Sequence, residues 1–309
     1  MTGPNGAMVR RLVAAIIAPL FLLGLAGCSD APGKTRNGGT SNGGPPNPLV
    51  YELASADGTV EGWMLGTIHA LPPETEWRNP AIDKAVRDAD LLVVEVKGLG
   101  DADGVARTFA ALSSSPGLPP LGWRVPRELA APLADLLVRG STSPDRFAST
   151  ETWAAAIALA RIDAVGDPAN GVDRALLDDF AARPVRELEG AAAQLSIFDR
   201  LPEAQQRAML AAVVRESETA RRDPERLQRA WLAGDAATIA TSTREGFLAD
   251  PALHEALLTA RNRRWADALA PLLARGPRPL IAVGAAHLVG PEGLAALLEA
   301  RGYRVRRIP

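Results

Sequence analysis

Segments with the patterning of β-strands fall at the two ends of this 309-residue chain, and the long middle from Asp101 to about Arg275 is alanine-rich and helical in pattern. Leu49 to Ala54 and Val60 to Ile68 read as two strands joined at Ala56-Asp57-Gly58, a strong hairpin turn. Asn79-Pro80 supplies an N-cap and a first-turn proline for a short helix over Ala81 to Ala89. Leu91 to Val96 is an apolar run broken only by Glu95, as expected of a buried parallel strand with one carboxylate near its end. At the other terminus a strand at Leu280 to Val283, a helix at Pro291 to Ala300 and a strand at Tyr303 to Ile308 make a βαβ unit. Strands that lie so far apart in sequence cannot each bury a face alone. The expected fold is therefore α+β, one mixed sheet built from N- and C-terminal strands with the central helical region packed on it.

Within the middle, helices are expected over Pro126 to Val138, Glu151 to Ala164, Val172 to Ala182, Pro202 to Arg221 and Pro251 to Ala274. One short strand, Val185 to Leu188, interrupts them and carries Glu187, with Glu189 just after it.

The first 48 residues follow other rules. Arg10 and Arg11 precede Leu12 to Leu25, an apolar run too short to span a bilayer and right for a signal-peptide core. It ends in Leu25-Ala26-Gly27-Cys28, which looks like a bacterial lipobox, so residues 1–28 are expected to be a lipoprotein signal peptide. Cys28, the only cysteine, is then the lipid-anchored first residue of the mature chain. Ser29 after it resembles the sorting signal for the outer membrane. Residues 29–48 are rich in Gly, Pro, Ser and Asn, a flexible tether with a mean reach of about 25 Å. The domain proper is expected over residues 49–309, in the cell envelope and facing the periplasm. A net charge of −2 and a pI near 6.0 give no electrostatic footprint for nucleic acid.

Two of the three histidines stand in one pattern: Gly66-Thr67-Ile68-His69 and Gly284-Ala285-Ala286-His287. Each follows an apolar strand and precedes a loop, the position beyond a strand's carboxyl end where open α/β sheets bind ligands. Glu95 ends a third strand in the same way. If the three strands are neighbours, His69, Glu95 and His287 converge, and two imidazoles with a carboxylate suit a divalent metal that acidifies a bound water. The plain alternative is that each histidine only caps its strand. The chain has no glycine-rich phosphate loop, no His-Glu-x-x-His helix and no serine elbow.

The strings GTIHALP, LLVVEV, Leu188-Glu189 with Gln194, Arg261-Asn262 and AVGAAHLVGPEGLAALLEARGYRV together resemble the TraB/GumN family, which includes PrgY and the animal Tiki proteins. The resemblance covers nearly all of residues 49–309 and implies an α+β fold. Tiki members are described as metal-dependent proteases. It therefore implies His69, Glu95 and His287 as metal or catalytic positions, Arg261 as a catalytic residue, manganese, cobalt or zinc as cofactor, and a peptide or protein substrate. Arg261 is expected to hold a substrate carboxylate or developing negative charge. Family members often carry an acid two positions after the strand glutamate, where this chain has Lys97. Glu189 and Gln194 are candidates for a surrounding wall, Glu74 for an outer partner of His69, and Asp173 for a first-turn helix residue. His254 reads as surface. The competing functions are a non-catalytic ligand- or peptide-binding lipoprotein and an accessory factor in polysaccharide assembly.

Overall fold

A computed structural model describes residues 44–309; the expected signal peptide, Cys28 and most of the expected tether lie outside the described residues. The strands form where apolar side chains alternate or run unbroken: β1 (Val50–Ala54), β2 (Val60–Thr67), β3 (Leu91–Val94), β4 (Val185–Glu187), β5 (Pro279–Gly284) and β6 (Arg304–Ile308). They make one mixed six-stranded sheet in the order β4-β3-β5-β2-β1-β6. The α+β architecture expected from the strand distribution is the one observed. β1 and β2 are antiparallel across the turn at Asp57-Gly58, where Asp57 accepts from the Thr59 amide and Gly58 takes φ 93°. β2, β5, β3 and β4 run parallel.

Both faces of this sheet are covered. Leu92, Val94, Leu280, Ala282 and Leu65 pack on one side, and Leu91, Val93, Ile281, Val283 and Met64 on the other. The period of two along β3 and β5 thus feeds two cores, as parallel strands require. Helices α1 (Pro80–Asp88), capped by Asn79, and α5 (Val172–Asp179) contribute to the first. The second is closed by α11 (Ala260–Leu273) and α12 (Leu294–Glu299). α12 begins three residues later than the Pro291 start expected, at the Gly293 N-cap.

The middle helices build a third core of their own. It gathers α2 (Ala102–Leu112), α3 (Ala130–Arg139), α4 (Thr152–Ala160), α6 (Ala191–Asp199) and α7 (Glu203–Ala220). α4 is apolar around its whole circumference and correspondingly buried, with Trp153 stacked on Phe198 at 6.0 Å and edge-on to Phe109 at 5.4 Å. Two short helices, α8 (Arg226–Ala233) and α9 (Ala236–Ser242), return the chain to the sheet. The stretch expected as one helix from Pro251 is a rod in three segments: α10 (Pro251–His254), a π-helical turn (Glu255–Thr259) and α11. Residues 46–48, expected as the end of a flexible tether, are instead docked on the domain. Asn47 donates to Leu232 O, Asn79 donates to Pro46 O, and Arg307 donates to Asn47 O.

Trp231 ties α8 to the sheet by donating from Nε1 to Gly66 O at 2.8 Å, the first residue of the first Gly-x-x-His string. Trp231→Phe keeps the apolar packing and leaves that buried carbonyl short of a donor. Urea unfolding should show a loss of about 1–3 kcal/mol; an unchanged midpoint would mean the strand end does not depend on this bond.

Candidate functional site

Register brings the two Gly-x-x-His strings side by side. Thr67 pairs with Gly284 across β2 and β5, and Val94 of β3 pairs with Ala282 of β5. Val94 also pairs with Glu187 of β4, so four parallel strands deliver His69, Gly284 with His287, Glu95 and Glu189 to one sheet edge. The Gly66 position is tight because a Cβ there would lie 3.0 Å from Ala285 Cα. The two strings therefore approach each other closely at backbone level.

At the centre of this edge lies Arg261, from the first turn of α11 and 0% exposed. Its Nε and Nη2 grip Glu189 at 2.8 to 3.1 Å, and Nη2 also donates to Glu95 Oε2 at 2.7 Å. Nη1 donates to Leu257 O and to His287 Nε2, both at 3.1 Å. The π-helical turn makes this possible: Ala260 N–H reaches back five residues to Glu255 O, and the Leu257 carbonyl is left to the guanidinium. Five N–H groups face five acceptor atoms in six contacts of good length. Burial alone would lower the Arg261 pKa, but Glu95 and Glu189 outweigh it and raise it.

Glu95 is 6% exposed. Oε1 accepts from the Gly284 amide at 2.8 Å, and Oε2 accepts from Gln194 Nε2 at 3.0 Å as well as from Arg261. Burial pushes its carboxyl up, yet the charges of Arg261, His287 and His69 and the Gly284 amide bring it down to about 2. His287 is 1% exposed, lies 4.5 Å from the Trp265 ring, and bonds through Nδ1 to Asn262 Oδ1 at 2.6 Å. Burial and then the Arg261 charge push it down to about 3, so it is neutral, donating from Nδ1 and accepting at Nε2. His69 differs from both. Its Nδ1 bonds to Asp173 Oδ2 at 2.6 Å, and Asp173 Oδ1 accepts from the Thr67 hydroxyl at 2.8 Å. Burial would lower the His69 pKa, but the Asp173 charge and hydrogen bond, helped by Glu95, raise it to about 9. At 12% side-chain exposure it has the most open edge in the cluster, and its Nε2 has no protein partner among the described residues.

Residues 49–307 match the TraB/PrgY/gumN family, and the match takes in part or all of each of the six strands and every residue of this cluster. The chain belongs to that family. No curated protein and no solved structure matches it. Within this TraB/PrgY/gumN domain the residues named from sequence divide by position. His69, Glu95, His287, Arg261, Glu189 and Gln194 meet in one cluster. Glu187 is exposed and accepts from the Lys97 amide. Lys97 is exposed too, and the second acid facing the cluster is Glu189. Glu74 is exposed at φ 60° and makes no hydrogen bond or ion pair with His69, whose partner is Asp173. His254, expected at the surface, is instead partly buried against Thr243 O and Glu292. Asp173, expected only as a helix first-turn acid, is the direct partner of His69.

The set His69, Glu95 and His287 does not fit a shared divalent ion in this arrangement. His287 Nε2 and Glu95 Oε2 both face the Arg261 guanidinium, so a cation already lies between them and takes their lone pairs. Among the described residues no three His, Cys, Asp or Glu side chains are placed to hold one ion. Arg261 likewise has no donor left for a substrate carboxylate. Its role in this geometry is to position Glu95, Glu189 and His287.

Two outcomes follow from this electrostatics. Arg261→Met strands two buried carboxylates and should lower stability by about 3–5 kcal/mol, read by denaturant unfolding; a loss below 1 kcal/mol would mean the cluster is solvated. Stability should also be dome-shaped in pH. Glu95, depressed from 4.5, and His287, depressed from 6.5, contribute above those values and lose their contributions as pH falls toward about 2 and 3. His69, raised from 6.5, contributes fully below 6.5 and loses that contribution as pH rises through about 9, on the order of 3 kcal/mol. Asp173→Asn should flatten the alkaline fall; a fall of equal size in the variant would assign it elsewhere.

Proposed function

We propose that this protein is a hydrolase of the bacterial envelope in which His69, oriented by Asp173, exchanges a proton with the substrate. The observation that carries the reading is the His69–Asp173 pair: Nδ1 is fixed at 2.6 Å, and Nε2 has no partner among the described residues and lies at the most open edge of the cluster. An imidazole whose far nitrogen is held by a carboxylate is set in one tautomer and orientation, which is what acid–base catalysis requires. With its pKa raised to about 9, His69 is an imidazolium at neutral pH. It therefore acts as the acid that protonates a leaving group. Glu95, ionised above about pH 2, and Arg261 hold the strand ends in register beneath it. A peptide substrate follows from the resemblance to the Tiki proteins, and anchoring through Cys28 to the periplasmic side of the outer membrane follows from the lipobox-like Leu25-Ala26-Gly27-Cys28.

The runner-up reading is a binding protein that closes around a peptide or small ligand without turning it over. The burial of Glu95 and His287 favours it, since neither presents a free edge to solvent.

Peptide-library hydrolysis by the purified protein separates these readings. His69→Ala should lower kcat by about 10²- to 10⁴-fold. Asp173→Asn should move the alkaline limb of the rate profile from near pH 9 toward 6.5, because the raising charge is gone. Full activity in His69→Ala would refute the assignment. Saturable peptide binding without hydrolysis would favour the binding reading. Stoichiometric metal in the parent, lost in both His69→Ala and His287→Ala, would restore the metal site expected from sequence.

A further inference from the structure

On the far side of Asn262 from His287 the structure has a small cleft, of about 70 Å³, which the His69 chemistry does not use. It lies between the C-terminal end of α9, the π-helical turn and the loop that follows His287, and Arg244, His254, Thr259, Asn262 and Glu292 line it. Thr259 is 1% exposed, and its Oγ1 has no hydrogen-bond partner. A buried hydroxyl left unpaired loses the bonds it would make in water, so a polar atom arriving in the cleft gains what the fold withholds. The second unmatched group is the Arg244 guanidinium. It is exposed at the mouth and makes no ion pair or hydrogen bond among the described residues.

The remaining polar groups are already engaged. Thr243 Oγ1 donates to Ala240 O, and His254 bonds Thr243 O through Nδ1 and Glu292 through Nε2. Asn262 Nδ2 donates to Glu292 O. Among the described residues the cleft therefore offers one free cation at its mouth, one free hydroxyl in its wall, and one carboxylate that is tied to an imidazole. A guanidinium matches the two oxygens of a carboxylate. A phosphate dianion would meet only one free cation and would face the Glu292 carboxylate, so the charge balance favours a single negative charge.

We propose that this cleft binds a small monocarboxylate, its carboxylate on Arg244 and a carbonyl, amide or hydroxyl of its tail on Thr259 Oγ1. The site is separate from the His69 cluster, with the Asn262 side chain as the partition. That amide holds His287 Nδ1 at 2.6 Å on one side and Glu292 O at 2.8 Å on the other.

Isothermal titration of the full chain with N-acetylglycine, with its neutral amide N-acetylglycinamide and with inorganic phosphate tests the proposal. N-acetylglycine should bind saturably and the other two should not. Arg244→Gln, at an exposed position and so without effect on the melting temperature, should weaken N-acetylglycine binding by about tenfold or more. Thr259→Val should weaken it further downstream of the carboxylate contact, and His69→Ala should leave it unchanged. No saturable heat, equal binding of the amide or of phosphate, or unaltered binding by Arg244→Gln would each overturn the proposal. So would loss of binding in His69→Ala with retention in Arg244→Gln, which would put the ligand at the other site.

Discussion

The buried Arg261 guanidinium organises this protein. Three segments distant in sequence, the end of β3, the turn after β4 and the string after β5, each send an acceptor to it: Glu95, Glu189 and His287. A charge so deep is tolerated only when its hydrogen bonds are made and opposite charge is close, and both conditions are met here. The consequence is mutual dependence. Glu95 is held ionised because the arginine is present, and the arginine is held in turn by Glu95, Glu189 and the Leu257 carbonyl of the π-helical turn.

That clamp separates the two members of the histidine pair. Equivalent in sequence pattern, His69 and His287 are driven in opposite directions by what faces them. An aspartate raises His69 to about 9, whereas burial and a guanidinium lower His287 to about 3. In one sheet edge, then, one imidazole is kept charged with an open nitrogen and the other is kept neutral with both nitrogens engaged. Environments that drive two titratable groups apart are how one site obtains distinct proton-transfer and structural roles.

Much of this was legible in the chain. The hairpin at Asp57-Gly58, the buried run ending in Glu95 and the C-terminal βαβ unit follow from local pattern and appear within a few residues of their expected bounds. Elements whose limits depend on neighbours were harder to read. The π-helical turn has ordinary helical periodicity, and one of its carbonyls, Leu257 O, accepts from the Arg261 guanidinium one turn on. α12 starts late because Gly293, and not the Gly290-Pro291 turn, caps it. His254 looked like a surface residue because no local signal announces that Glu292, thirty-eight positions later, folds back onto it. Asp173 was hidden for the same reason, since its partner His69 lies 104 residues away.

From the sequence alone came the strand set, the α+β class, two Gly-x-x-His strings and Glu95 each at a strand end, and the family. All of these rest on periodicity, turn chemistry and short motifs, which are encoded over a few residues. The strand register then brought those strand ends together. Tertiary structure decided which groups pair once they converge, and so their charge. It placed a guanidinium where a metal was expected, turned Arg261 from a substrate-facing residue into a clamp, and left His69 as the open group. Those outcomes depend on distances between residues far apart in the chain, and electrostatic energy is set by such distances and by burial, neither of which a linear pattern contains.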